Sequence, residues 1–107
     1  MNTNPLERDI EKRVCDFAKK LGMLVFKFTS PSRRSVPDRL FITPVGVVFF
    51  VEFKRKGQKP TPAQAVEIDK IRAKGVSVFV IDNVEVGKGM VEGMVLKHGN
   101  ELDLEGY

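Results

Sequence analysis

The sequence predicts an α/β domain in which a mixed sheet is flanked by helices, in the order α-β-β-β-α-β(-α). Three observations carry this expectation. Helical and strand periodicities alternate along the chain, two short apolar runs are separated by a three-residue turn, and 107 residues make one domain around one core. With 42% hydrophobic and 30% charged residues, and eight Phe, there is enough apolar surface to offset chain entropy. Two independent catalytic domains are excluded by length.

Asn4-Pro5 opens the first helix, with Asn4 as cap and Pro5 in the first helical position. Leu6, Ile10, Val14, Phe17 and Leu21 then recur at helical spacing until Gly22. Met23–Phe28 reads as a strand of β-branched and aromatic residues. A basic loop with two prolines and three serines follows over 29–37, a composition expected to be mobile. Arg39–Thr43 and Val47–Lys54 read as strands joined at Pro44-Val45-Gly46, close enough for an antiparallel hairpin. After a basic turn at Arg55–Lys59, Thr61-Pro62 opens a second helix whose period is set by Ala65, Ile68, Ile71 and Arg72 and which Gly75 closes. Val76–Ile81 is a strand. Asn83 caps a final helix bearing Val84, Val86, Met90, Met94 and Val95, although Gly87, Gly89 and Gly93 each weaken it by about 1 kcal/mol relative to Ala.

The formal charge of +4 conceals an asymmetry. Residues 27–59 hold eight basic side chains against Asp38 and Glu52, a local charge of +6, whereas residues 82–107 hold six acids against Lys88 and Lys97, a local charge of −4. Clustered Lys and Arg attract polyanions by releasing counterions, although the same pattern also suits a solvated surface. No apolar run approaches the roughly 18 residues of a membrane span, and the polar start lacks the core of a signal peptide, so a cytoplasmic protein without a membrane partner is expected. The single Cys15 makes neither an internal disulfide nor a Cys-based zinc site. It is expected opposite the apolar centre of the first helix, as a spectator. The only histidine, His98, sits in the acidic tail, which argues against a histidine-based hydrolase. Met90 and Met94 suit packing rather than a cofactor, and the tail, 97–107, ending at Tyr107, is a candidate for disorder.

The residues with chemistry lie in the basic segment. Period-two alternation puts Phe49, Val51 and Phe53 on one face of a strand and Phe50, Glu52 and Lys54 on the other. Alone, Glu52 and Lys54 read as an ordinary ion pair at a strand end. A hairpin would bring the carboxylate of Asp38, which follows Pro37, to meet them. Two carboxylates suit a hard divalent cation such as Mg²⁺, which binds carboxylate and phosphate oxygens and lowers the pKa of bound water. Lys54 then suits the orientation of that water or the stabilisation of developing negative charge.

Pro37-Asp38 with Glu52-Phe53-Lys54 resembles the PD-(D/E)xK nuclease signature, and hence a restriction-endonuclease-like core. The longer stretch Val36-Pro-Asp-Arg-Leu, with Phe50-Val-Glu-Phe-Lys and on to Gln64 just inside a helix, resembles the virus-type replication-repair nuclease (VRR-NUC) family over residues 6–81. One departure is Ser35, where the family usually has Gly. The resemblance implies Mg²⁺- or Mn²⁺-dependent hydrolysis of DNA phosphodiesters, with Asp38 and Glu52 as metal ligands, the Phe53 backbone carbonyl as a further ligand, and Lys54 beside the water. No organic cofactor is implied. It also implies a carboxylate from the first helix, either Glu7 or Glu11. The helical wheel favours Glu7, inside the apolar stripe, and assigns Glu11 to a solvated pair with Arg8 or Lys12. Gln64 matches the family's glutamine and is expected to bond a carboxylate, a water or the DNA backbone, unless it is merely surface.

Lys27, Arg33, Arg34, Arg39, Lys56 and Lys59 are the candidates for phosphate contact, with at least two expected to be bystanders. Stand-alone members of the family resemble Holliday-junction resolvases, so branched DNA is the expected substrate and a homodimer the expected form. A bacterial or phage-infected cell is the expected setting. Two alternatives remain: a non-catalytic DNA-binding module of the same fold, and a protein-interaction domain using the basic patch.

Overall fold

The apolar stripe of the first segment folds as α1, Glu7–Lys20, which buries Ile10, Val14 and Ala18. A computed structural model describes residues 6–104, with side chains as far as residue 96. The expected cap, Asn4, and Pro5 lie outside the described residues; the helix starts from an extended Leu6 that makes no side-chain cap bond. At its other end Gly22, at φ +89°, lets the Met23 N–H reach the Ala18 carbonyl at 3.1 Å.

After α1 come β1 (Leu24–Lys27), β2 (Arg39–Ile42), β3 (Val48–Phe53), α2 (Pro62–Ala73), β4 (Val78–Ile81) and α3 (Val84–Leu104). The sheet runs β1-β2-β3-β4, antiparallel at the first two pairings and parallel between β3 and β4. The mixed α/β architecture and element order stand as expected, with strand ends drawn in by one or two residues. The hairpin closes where Gly46 N–H donates to the Thr43 carbonyl and Thr43 N–H to the Val47 carbonyl, both at 2.9 Å. α2 supplies the crossover that a parallel β3–β4 pair requires.

Alternate residues of β3 enter different surroundings. Phe49, Val51 and Phe53 are wholly buried, packed with Ile10, Val14 and Cys15 of α1, Phe41 of β2 and Val91 of α3. The rings of Phe41 and Phe49 stand 5.1 Å apart, and Phe79 meets Phe49 edge-on at 5.6 Å. Phe50 and Glu52 face the other way, toward the side where α2 lies.

Two expectations are corrected here. Cys15 is not opposite the core but in it, only 4% exposed. α1 is covered by the sheet on one side and by α3 on the other, so its buried arc is wider than the apolar stripe. Burial pushes the thiol up to about 11, which leaves it un-ionised at neutral pH. Gly87 also does more than weaken α3: a Cβ there would stand 2.5 Å from Val14 Cγ2 and 3.0 Å from Ile81 Cγ2. The missing side chain is what lets α3 approach α1 and β4.

Asn83 caps α3 as expected, accepting from Val86 N–H at 3.0 Å. Met94 is buried and Met90 packs against the core. The side chains of 97–104, including His98, and all of 105–107, including Tyr107, lie outside the described residues, as do the expectations placed on them. Among the described residues no helix is long and apolar enough to cross a membrane.

Candidate active site

The site is built at the end of the β2–β3 ladder. Arg39 pairs with Val51, and continuing that register by one residue sets Asp38 opposite Glu52 on the same sheet face. The following position is Pro37, opposite Phe53. Phe50 and Lys54 turn their N–H groups toward β4, donating to Ser77 and Ile81 carbonyls at 3.0 and 2.9 Å. Phe53, between Glu52 and Lys54, therefore turns its own N–H toward β2. A residue at position 37 would ordinarily donate to the Phe53 carbonyl, but proline has no N–H. The ladder stops, and Phe53 N–H instead donates to Asp38 Oδ2 at 2.9 Å.

Glu52 is 2% exposed. Its Oε2 lies 3.4 Å from Lys54 Nζ and accepts from Gln64 Nε2 at 3.1 Å. Gln64 is held by a capping box: Thr61 Oγ1 accepts from Gln64 N–H at 3.2 Å while Gln64 Oε1 accepts from Thr61 N–H at 2.9 Å. With its oxygen tied to the helix start, the amide presents its nitrogen to Glu52. The Thr-x-x-Gln pattern was visible in the sequence; its link to Glu52 depends on the crossover that lays α2 beside β3.

Burial, and then the nearby Asp38, pushes the Glu52 carboxyl up to about 7 against the opposing pull of Lys54. Burial also raises the Asp38 carboxyl, with the Phe53 N–H working against it. Glu7, in the first turn of α1, is raised by partial burial and by Asp38. The structure thus brings Glu7, Asp38, Glu52, Lys54 and Gln64 to one end of the sheet. Glu11 accepts from Arg39 Nε at 2.6 Å, a pairing with β2 that replaces the expected one with Arg8 or Lys12, and its charge also raises the Asp38 carboxyl. Arg39 shares the sheet face of Val51, against which α1 packs, so a residue 28 positions distant becomes the neighbour.

Of the phosphate-contact candidates, Arg33 is also paired. Its Nε and Nη2 donate to the two oxygens of Glu67 at 2.6 and 2.8 Å, tying the 29–38 loop to α2. Lys27, Arg34, Lys56 and Lys59 are exposed. Ser35 departs from the family's Gly yet takes the conformation glycine favours, at φ +64°.

Among the described residues no three His, Cys, Asp or Glu side chains stand close enough together to hold a metal ion unaided. The donor chemistry nonetheless fits a hard divalent cation. Asp38 and Glu52 each have one oxygen engaged by a protein donor, Oδ2 and Oε2, which leaves Oδ1 and Oε1 to serve a cation, and the Phe53 carbonyl is one that Pro37 cannot serve. A carboxylate whose proton affinity a neighbouring carboxylate raises, as Asp38 raises that of Glu52, is stabilised in its charged form by positive charge beside it.

The chain is 44% identical over 80 residues to "Putative nuclease p44" of Acyrthosiphon pisum secondary endosymbiont phage 1, a match covering 75% of this chain and 86% of that protein. Its fold matches a solved structure titled "VRR_NUC domain" with a TM-score of 0.76 and 34% sequence identity, over 80% of this chain and 94% of that one. No family model matches the chain.

Proposed function

Because the chain belongs to the VRR-NUC family of nucleases, we propose that it is a Mg²⁺- or Mn²⁺-dependent endonuclease that hydrolyses DNA phosphodiesters, with branched DNA such as Holliday junctions as its preferred substrate. The observation that carries this reading is the juxtaposition of Asp38 and Glu52 across the ladder end, with Lys54 Nζ 3.4 Å from Glu52. Asp38, Glu52 and the Phe53 carbonyl are the groups that would hold the cation, with Glu7 beside them. A divalent cation bound there supplies charge to neutralise the phosphate and acidifies water at neutral pH.

The remaining chemistry belongs to the chain. Lys54, its stem packed at the strand end, orients the attacking water and meets the negative charge that develops on the phosphate. Gln64 fixes the rotamer of Glu52. Exposed Lys27, Arg34, Lys56 and Lys59 hold the DNA backbone. Cutting two strands symmetrically needs two sites, and one chain carries one, so the active form is a homodimer. The exposed apolar residues Leu24, Phe26 and Val48 support association, being the kind of surface that interfaces cover. The phage source of the relative supports a bacterial or phage-infected cytoplasm as the setting.

The test is incubation with four-way junction, flap and linear duplex DNA, in Mg²⁺ or in EDTA. Metal-dependent cleavage, fastest on the junction and reduced at least about 100-fold in Asp38→Asn and Lys54→Ala, is expected. Undiminished cleavage in both variants overturns the site, and binding without cleavage replaces the enzyme with a DNA-binding module.

A further inference from the structure

Beyond Gln64, α2 carries Glu67, Lys70, Ile71 and Lys74 at helical spacing, the last as its C-cap. These residues and Arg33 line an open groove of about 730 Å³ between the helix and the 29–38 loop. Three features distinguish it from a random basic surface. Glu67 is buried and grips Arg33 with both carboxylate oxygens, so the guanidinium is fixed in place while only two of its five N–H donors are used. Arg72, between the two lysines, is turned away to the Val78 carbonyl at 2.7 and 3.2 Å, which leaves Lys70 and Lys74 as the helix's cations in the groove. The groove also lies on the helix that carries Gln64, and at 1.5 Å per residue Lys70 and Lys74 stand about 9 and 15 Å farther along its axis.

We infer that this groove binds the phosphodiester backbone of the substrate DNA away from the scissile bond, with Arg33, Lys70 and Lys74 contacting phosphates over a floor that includes Ile71. The inference rests on the nuclease reading and extends it, because none of these lysines belongs to the basic segment 27–59. Once its charge is matched by Glu67, Arg33 still offers donors, and the lysines add a net charge of +2 that a polyanion complements. These are positioning residues that act on how DNA is held.

The experiment measures binding of a four-way junction in EDTA across a salt series for the wild-type chain, Lys70→Ala/Lys74→Ala and Lys19→Ala/Lys20→Ala. The last pair removes the same charge from exposed positions on α1. Loss of two phosphate contacts lowers the slope of log K against log salt by about 1.8 in the groove variant and leaves the α1 variant at the wild-type slope. Cleavage in Mg²⁺ then shows a raised KM with kcat retained, and Lys70→Arg/Lys74→Arg restores the slope. A groove variant with the wild-type slope, or an α1 variant that falls as far, overturns the groove while wild-type cleavage keeps the nuclease reading. A wild-type chain that neither binds nor cuts DNA overturns both.

Discussion

The two faces of β3 are made by neighbouring residues and are built to opposite ends. Phe49, Val51 and Phe53 disappear into a continuous apolar core, where every contact stabilises the fold. Glu52, one residue from each of two of them, is equally buried but beside Asp38, and its carboxyl is pushed up to about 7. The same end of the sheet holds a proline that cuts the ladder short and a serine in left-handed conformation. One face lowers the free energy of the native state; the other accumulates repulsion and strain around groups that chemistry requires. A buried carboxylate pair so placed is better explained by a ligand than by folding.

The largest effect that separates the faces is truncation of the core. Phe53→Ala removes a wholly buried ring and is expected to cost roughly 3–5 kcal/mol, read as a lowered denaturation midpoint. Cleavage falls only as the folded fraction falls. A smaller effect of opposite sign belongs to the site end. Ser35→Gly relieves the left-handed backbone and is expected to stabilise by about 0.5–1 kcal/mol, the gain being limited by the greater freedom of glycine in the unfolded chain. Cleavage is retained, because glycine keeps the loop that delivers Asp38. A destabilised Ser35→Gly protein would show that the site end is not strained there.

Much of this contrast was legible in the sequence, for identifiable reasons. Period-two alternation separated Phe53 from Glu52, and the Pro44-Val45-Gly46 turn fixed the pairing that sets Asp38 opposite Glu52. What escaped depends on packing between distant segments. Glu11 finds Arg39 across 28 positions and Arg33 finds Glu67 across 34, so local spacing offered nearer but wrong partners or none. Cys15 was misplaced because a helical wheel assumes one covering surface and α1 has two. The basic candidates divided the same way: charge counting found them all, but only the fold shows that Arg33 and Arg39 are engaged with acids while Lys27, Arg34, Lys56 and Lys59 are exposed.

The central claim is that Glu52 serves function at the expense of stability, and Glu52→Gln tests it directly. In EDTA the folded Glu52 carboxyl binds a proton at pH values where the unfolded one has lost it. Wild-type stability therefore falls as pH rises from about 4.5 to about 7, and falls further than that of the glutamine variant, in which only the other raised carboxyls, Asp38 and Glu7, still contribute. Thermal unfolding is expected to show equal stability at pH 4.5 and a variant more stable by about 2–3 kcal/mol at pH 8, with DNA cleavage in Mg²⁺ lost. A variant no more stable than wild type at pH 8, or one that still cuts at the wild-type rate, would contradict the account.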